Sequence, residues 1–135
     1  LNFMKTILVT GAIIQNDNNF LIGKRGKDEK SAGMWEFPGG KLEEGESPKE
    51  CIKRELKEEL NIDAEIGELF SSYTYNYNHV SYELFFFKVN SFFGEPVKSV
   101  HDKLKWEKLT NFHKYDFLPG DGPLIDKLIS ENNNR

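Results

Sequence analysis

The stretch that decides the reading is GGKLEEGESPKECIKRELKEELNI, from Gly39 to Ile62. It joins a diglycine corner to a helix whose acids gather on one side. Ser47 is a helix cap, Pro48 suits the first helical position, and Glu50 follows Ser47 by three residues, which makes a capping box. Ile52, Leu56 and Leu60 recur every four residues as an apolar stripe. At ~100° per residue, Glu55, Glu58 and Glu59 fall on an arc of about 100° beside that stripe. Glu46 sits just before the cap. Arg54 is spaced to pair with Glu50 and with Glu58. Lys53 and Lys57 lie on another face and leave the acids un-neutralised. Segregated carboxylates beside a corner with room for backbone carbonyls suit a hard cation, Mg²⁺ or Mn²⁺, that shares itself with phosphate oxygens. Set against this is the plainer reading of a solvated helix rich in Glu and Lys.

The same stretch resembles the signature of the Nudix hydrolases. Gly40, Glu46, Arg54, Glu55, Leu56, Glu58, Glu59 and Ile62 match it at every spacing. Asn61 stands where the signature usually has Gly, and Asn is the next most tolerant residue of a left-handed helix end. The run Trp35-Glu36-Phe37-Pro38-Gly39-Gly40 extends the likeness to MutT-like nucleotide hydrolases. The resemblance implies an α/β domain, the Nudix α/β/α sandwich with a mixed sheet, over residues 4–130, with a disordered tail at 131–135. It implies metal ligation by Glu55, Glu58, Glu59 and the Gly39 carbonyl, with Mg²⁺ or alternatively Mn²⁺. Arg54 would orient the carboxylates, and Glu58 is a candidate base. Arg25, Glu36, Phe37, Pro38 and Gly39 would contact the nucleotide. Asp121 would face the base where MutT carries Asn; an ionised Asp offers only acceptors and favours a donor-rich edge. Val100 stands where MutT-like enzymes usually carry a further Glu, with His101 and Asp102 as possible substitutes.

The 135 residues suffice for one domain with its own core. A net charge of −4 argues against a surface for nucleic-acid polymers. No run has the length of a membrane span. The single cysteine, Cys51, excludes an internal disulfide, fits a reducing compartment such as the cytoplasm, and reads as a small residue at the core edge.

Strands are expected at 5–15, 20–25, 63–78, 80–89 and 103–109, with a short one at Trp35–Phe37. Leu84 to Phe87 is too apolar for a solvent face and reads as central. Pro123 is placed to open a last helix that packs through Leu124, Ile125, Leu128 and Ile129. Asp121 is, on the plainer reading, that helix's cap.

The expected reaction is hydrolysis of a nucleoside triphosphate to monophosphate and pyrophosphate, on oxidised purines such as 8-oxo-dGTP. A CTP- or dCTP-preferring enzyme, a nucleotide-binding module without turnover, and an ADP-ribose or nucleotide-sugar hydrolase are the alternatives. The partner is a small nucleotide, and the chain is expected to be a monomer or weak homodimer.

Overall fold

A computed structural model describes residues 4–133. In chain order it contains β1 (Lys5–Ile13), β2 (Gln15–Asn16), β3 (Asn19–Arg25), β4 (Trp35–Glu36), β5 (Gly39–Lys41), α1 (Pro48–Leu60), β6 (Asp63–Tyr77), β7 (Val80–Phe93), β8 (His101–Lys108) and α2 (Gly122–Asn133). Two short 3₁₀ turns, Leu109–Lys114 and Pro119–Asp121, lead into α2.

One sheet has the order β5-β1-β7-β6. β1 runs parallel to β7 from Lys5↔Val80 to Ile13↔Lys88, and the other pairings are antiparallel, so the sheet is mixed. β7 is interior to it, as the apolar run Leu84–Phe87 requires. β6 and β7 meet at Asn78 and His79, both with positive φ, the backbone twist that a tight hairpin needs. In the second sheet β3 pairs antiparallel with β2, β4 and β8.

Strand alternation splits the core in two. Ala12, Ile14, Leu21 and Phe87 turn to one side and pack with Ile52, Leu56 and Leu60 of α1. Ile13, Phe20, Ile22, Leu84 and Phe86 turn to the other and pack with Leu124 and Leu128 of α2. A side-chain period of two thus gives each helix its own apolar layer, one on either face, which is the expected sandwich.

The local signals of α1 act as read. Ser47 and Glu50 bond reciprocally at 3.1 and 2.9 Å, and Asn61 closes the helix in the left-handed conformation at φ 55°. The C-terminus departs from expectation. Residues 131–133 continue α2 rather than fray, and 134–135 lie outside the described residues. Of its expected packing face, Ile129 remains exposed.

The diglycine corner has a steric reason. A Cβ on Gly39 would lie 1.9 Å from the Thr10 carbonyl oxygen, and one on Gly40 would lie 2.4 Å from the Glu55 carboxyl carbon. Bare backbone at these positions lets β5 lie against β1 and lets the Glu55 carboxyl rest on the corner. Gly39→Ala should therefore lower stability by ~3 kcal/mol, a fall in Tm of roughly 10 °C. Gly122→Ala, in helical backbone with nothing within 4 Å, should change it by less than about 1 kcal/mol. Equal melting of the two variants would contradict the packing of β5 on β1.

Candidate active site

Arg54 is the hub of the acidic corner. Its guanidinium meets Glu46 at 2.6 and 2.9 Å, Glu55 at 2.9 Å, Glu58 at 3.0 Å and Glu43 at 3.3 Å. It also donates to the Lys41 carbonyl at 3.2 Å. The expected pairing with Glu58 is present. The pairing with Glu50 is not, because the Glu50 carboxylate turns back to the Ser47 N–H and completes the capping box. Glu46 takes its place, reaching in from the loop before the helix. Arg54, with help from the Glu43 N–H, holds the Glu46 carboxyl down to about 2.

Glu59 lies on the inner side. Its Oε2 is buried and has no hydrogen-bond partner. Burial first, then the charges of Glu55 and Glu36, push its carboxyl up to about 9. Among the described residues no three His, Cys, Asp or Glu side chains already converge as a cage. Glu55 and Glu58 are turned to Arg54 instead. The donor set still fits a hard divalent cation. It offers an orphaned buried carboxylate oxygen, neighbouring acids that repel it, and a corner whose Gly40 lets the Glu55 carboxyl lie against bare backbone. Glu55, Glu58, Glu59 and the Gly39 carbonyl can hold such an ion, with Arg54 orienting two of them.

A cavity of about 790 Å³ runs from this corner across the sheet. Gly39, Gly40 and Glu59 stand at one end, Asp121 stands in its wall, and Tyr75 and Tyr82 form an aromatic side. Glu36 and Phe37 also line it. Pro38 does not: it is fully buried and its carbonyl accepts from the Ala12 N–H at 2.8 Å. Arg25 reaches the wall, but much of its guanidinium is engaged. Nη1 holds Glu36 at 2.9 Å and Nε donates to the Lys30 carbonyl at 2.7 Å, which ties down the loop at residues 26–33.

His101 occupies a slot over Gly23, where any Cβ would lie 2.5 Å from its ring, and its Nε2 meets the second Glu36 oxygen at 2.9 Å. Glu36 is thus clasped from both sides. Of the two possible substitutes beside Val100, His101 is the one at the wall, while Asp102 is exposed.

Asp121 is buried, and its Oδ2 accepts from the Phe37 N–H at 3.3 Å. Its carboxyl points back to the β4–β5 connection. Burial, reinforced by the Glu36 charge and opposed by the Phe37 N–H and Arg25, pushes it up to about 7. The sequence alone leads to an ionised, acceptor-only Asp121; its burial favours the protonated form instead. Cys51 is buried and its thiol is pushed up to about 11, chiefly by that burial, as befits a small core residue.

The aromatic side of the cavity was not assigned from sequence. Its signal was the alternation that continues through Tyr75 and Tyr77 on one strand face; both line the cavity, while Tyr73 before them does not.

This arrangement coincides with a known family. The model of the NUDIX domain matches residues 5–128, and the chain belongs to the Nudix hydrolase family. It is 35% identical over 127 residues to the CTP pyrophosphohydrolase of Escherichia coli K12, covering 94% of each chain. It is 36% identical over 126 residues to the 8-oxo-dGTP diphosphatase of the same strain, covering 93% of this chain and 98% of the relative. The solution structure of the E. coli ORF135 protein superposes with a TM-score of 0.87 at 34% identity, covering 100% of this chain and 96% of that one. No helix among the described residues is long and apolar enough to cross a membrane.

A proton held on Glu59 must leave when a cation binds there. Titration of Mg²⁺ at sub-millimolar concentration into weakly buffered protein near pH 7 should release close to one proton per site. Release should vanish near pH 10, above the raised Glu59 value, and in Glu59→Gln. Proton release undiminished in Glu59→Gln would show that the ion binds elsewhere.

Proposed function

We propose that this chain hydrolyses nucleoside triphosphates to the monophosphate and pyrophosphate, using Mg²⁺ or Mn²⁺, with 8-oxo-dGTP-like oxidised purines as first substrates and CTP or dCTP as second. The observation that carries the reading is the single cavity with two unlike ends. One end has Glu59, with Glu55 beside it outside the lining, suited to a divalent ion and polyphosphate, and the other has a buried Asp121 suited to a base edge.

Metal ions at the acidic end would neutralise phosphate oxygens and lower the pKa of bound water. The chain's own residues do the positioning. Arg54 keeps Glu55 and Glu58 from splaying apart. Glu58, exposed beyond the cavity rim and held by Arg54 at 3.0 Å, is the candidate base. Glu36, clasped by Arg25 and His101, holds the wall between the two ends. Phe37 and Tyr75 give the base apolar faces.

The charge state of Asp121 explains why two different bases suit one pocket. A protonated carboxyl offers one donor and one acceptor, as an amide does. Guanine presents two acceptors, N7 and O6, on its outer edge. Oxidation at C8 turns N7 into an N–H, so the edge becomes a donor beside an acceptor. Cytosine offers the same pair through its amino group and N3. Both edges match neutral Asp121, and this chemistry favours the two substrates that the names of the relatives contain.

A panel of triphosphates with Mg²⁺, scored for pyrophosphate, tests the reading. Glu58→Gln and Glu59→Gln should each cut turnover by ~100-fold or more with the melting temperature kept; full activity in either would contradict the ligand set. The base end has its own test. The ratio of wild-type to Asp121→Asn kcat/KM on 8-oxo-dGTP should fall as pH rises through about 7, because the carboxyl loses its donor there while the amide does not. A ratio flat from pH 5.5 to 8.5 would show that Asp121 does not read the base.

A further inference from the structure

Asp121 is held from two directions. Its carboxylate receives the Phe37 N–H, as described. The residue before it, Gly120, has its carbonyl bonded by the Tyr73 hydroxyl at 2.7 Å. Tyr73 belongs to β6, does not line the cavity, and lies far from Asp121 in sequence. Its ring stacks on Phe86 with centroids 5.8 Å apart and planes 26° from parallel. Phe86 in turn meets Phe37 edge-on at 6.4 Å.

These contacts close a ring of parts. Tyr73 packs on Phe86, Phe86 on Phe37, the Phe37 N–H holds Asp121, and Tyr73 holds the Gly120 carbonyl beside it. The turn Pro119–Asp121 contains no side-chain cap; the Leu118 N–H ties its start to the Trp35 carbonyl of β4 at 2.9 Å, and the Tyr73 hydroxyl is the tie that reaches it from β6. Gly120 also lies against the Tyr75 ring: a Cβ there would sit 3.4 Å from Cδ2. A small shift of the turn would therefore move the Asp121 carboxyl and the aromatic wall relative to each other.

We infer that Tyr73 is a specificity-positioning residue: by bonding the Gly120 carbonyl from beneath the pocket, it sets where Asp121 meets the edge of the base. The inference rests on the base-reading role proposed for Asp121. It assigns Tyr73 no contact with the nucleotide. The phosphate end is untouched by this bond, so the effect falls on discrimination between bases and on KM, while kcat is retained.

Tyr73→Phe isolates the bond, because it keeps the ring and its stacking on Phe86. A second tie between α2 and β6 supplies the control. Lys127, six residues after Asp121 on α2, donates to the Phe70 carbonyl and lies 4.3 Å from the centre of the Phe70 ring, with no bond to the Pro119–Asp121 turn. Lys127→Met loosens α2 without touching the turn.

The measured quantity is kcat/KM for 8-oxo-dGTP divided by that for dGTP. Tyr73→Phe should lower this ratio about fivefold, the loss of one net hydrogen bond, through KM and with kcat within twofold of wild type. Lys127→Met should leave the ratio within twofold even where it lowers Tm as much. An unchanged ratio in Tyr73→Phe, with the ratio altered in Asp121→Ala, would overturn the role of Tyr73 and leave that of Asp121 intact. Equal falls in Tyr73→Phe and Lys127→Met would also overturn it, since general loosening would then suffice. No change in Asp121→Ala would remove the base-reading role and this inference with it.

Discussion

Like charges held close together are the central constraint on this molecule. Glu55 and Glu59 share one face of α1, Glu36 approaches from β4, and Glu43 and Glu46 come from the loop before the helix. Left to themselves these groups would spread into solvent. Arg54 prevents that by bonding several of them at once through a planar fork that lysine could not reproduce. The pairs on its solvent side contribute little to stability singly, as exposed ion pairs do. Their value is geometric, because they point carboxylates toward one corner. Glu59 is left out of this arrangement, and its unpartnered oxygen marks where positive charge is lacking.

The fold serves this constraint from both sides of the sheet. α1 lies on one layer of the core and carries the acids over the β5 corner. α2 lies on the other layer and brings the Pro119–Asp121 turn against Phe37. The segment from Trp35 to Gly40 connects the two. Its Phe37 N–H faces Asp121, its glycines face the acids, and Glu36 raises the proton affinity of both Glu59 and Asp121. One carboxylate, clasped by Arg25 and His101, thus acts electrically on both ends of the cavity. A change at Glu36 would be felt by Glu59 and Asp121 together.

What could be read from the sequence was local. The capping box, the Ile52–Leu56–Leu60 stripe and the left-handed Asn61 all depend on neighbours within a few residues, and each appears as expected. The apolar run Leu84–Phe87 marked β7 as interior, while the division of the core into two layers came only with the structure. What could not be read needed distant partners. The spacing of Arg54 pointed to Glu50 and Glu58, but the loop folds Glu46 into reach and the cap claims Glu50. The charge on Asp121 depends on burial beneath β4 and on Glu36, both far away in the chain. Pro38 looked like a wall residue by likeness, yet its neighbours seal it into the sheet. The polar end of α2 has no stripe to announce it, so its continuation to Asn133 was not visible.

The central claim is that one cavity holds a divalent ion at the Glu55–Glu59 corner and a base at Asp121. A crystal grown with Mn²⁺ and a non-hydrolysable nucleoside triphosphate analogue tests it directly through anomalous scattering. The account predicts a manganese peak bonded to Glu59 and bridging to the phosphates, with the base edge against Asp121. Manganese bound away from Glu59, or a nucleotide lying outside the cavity, would contradict it.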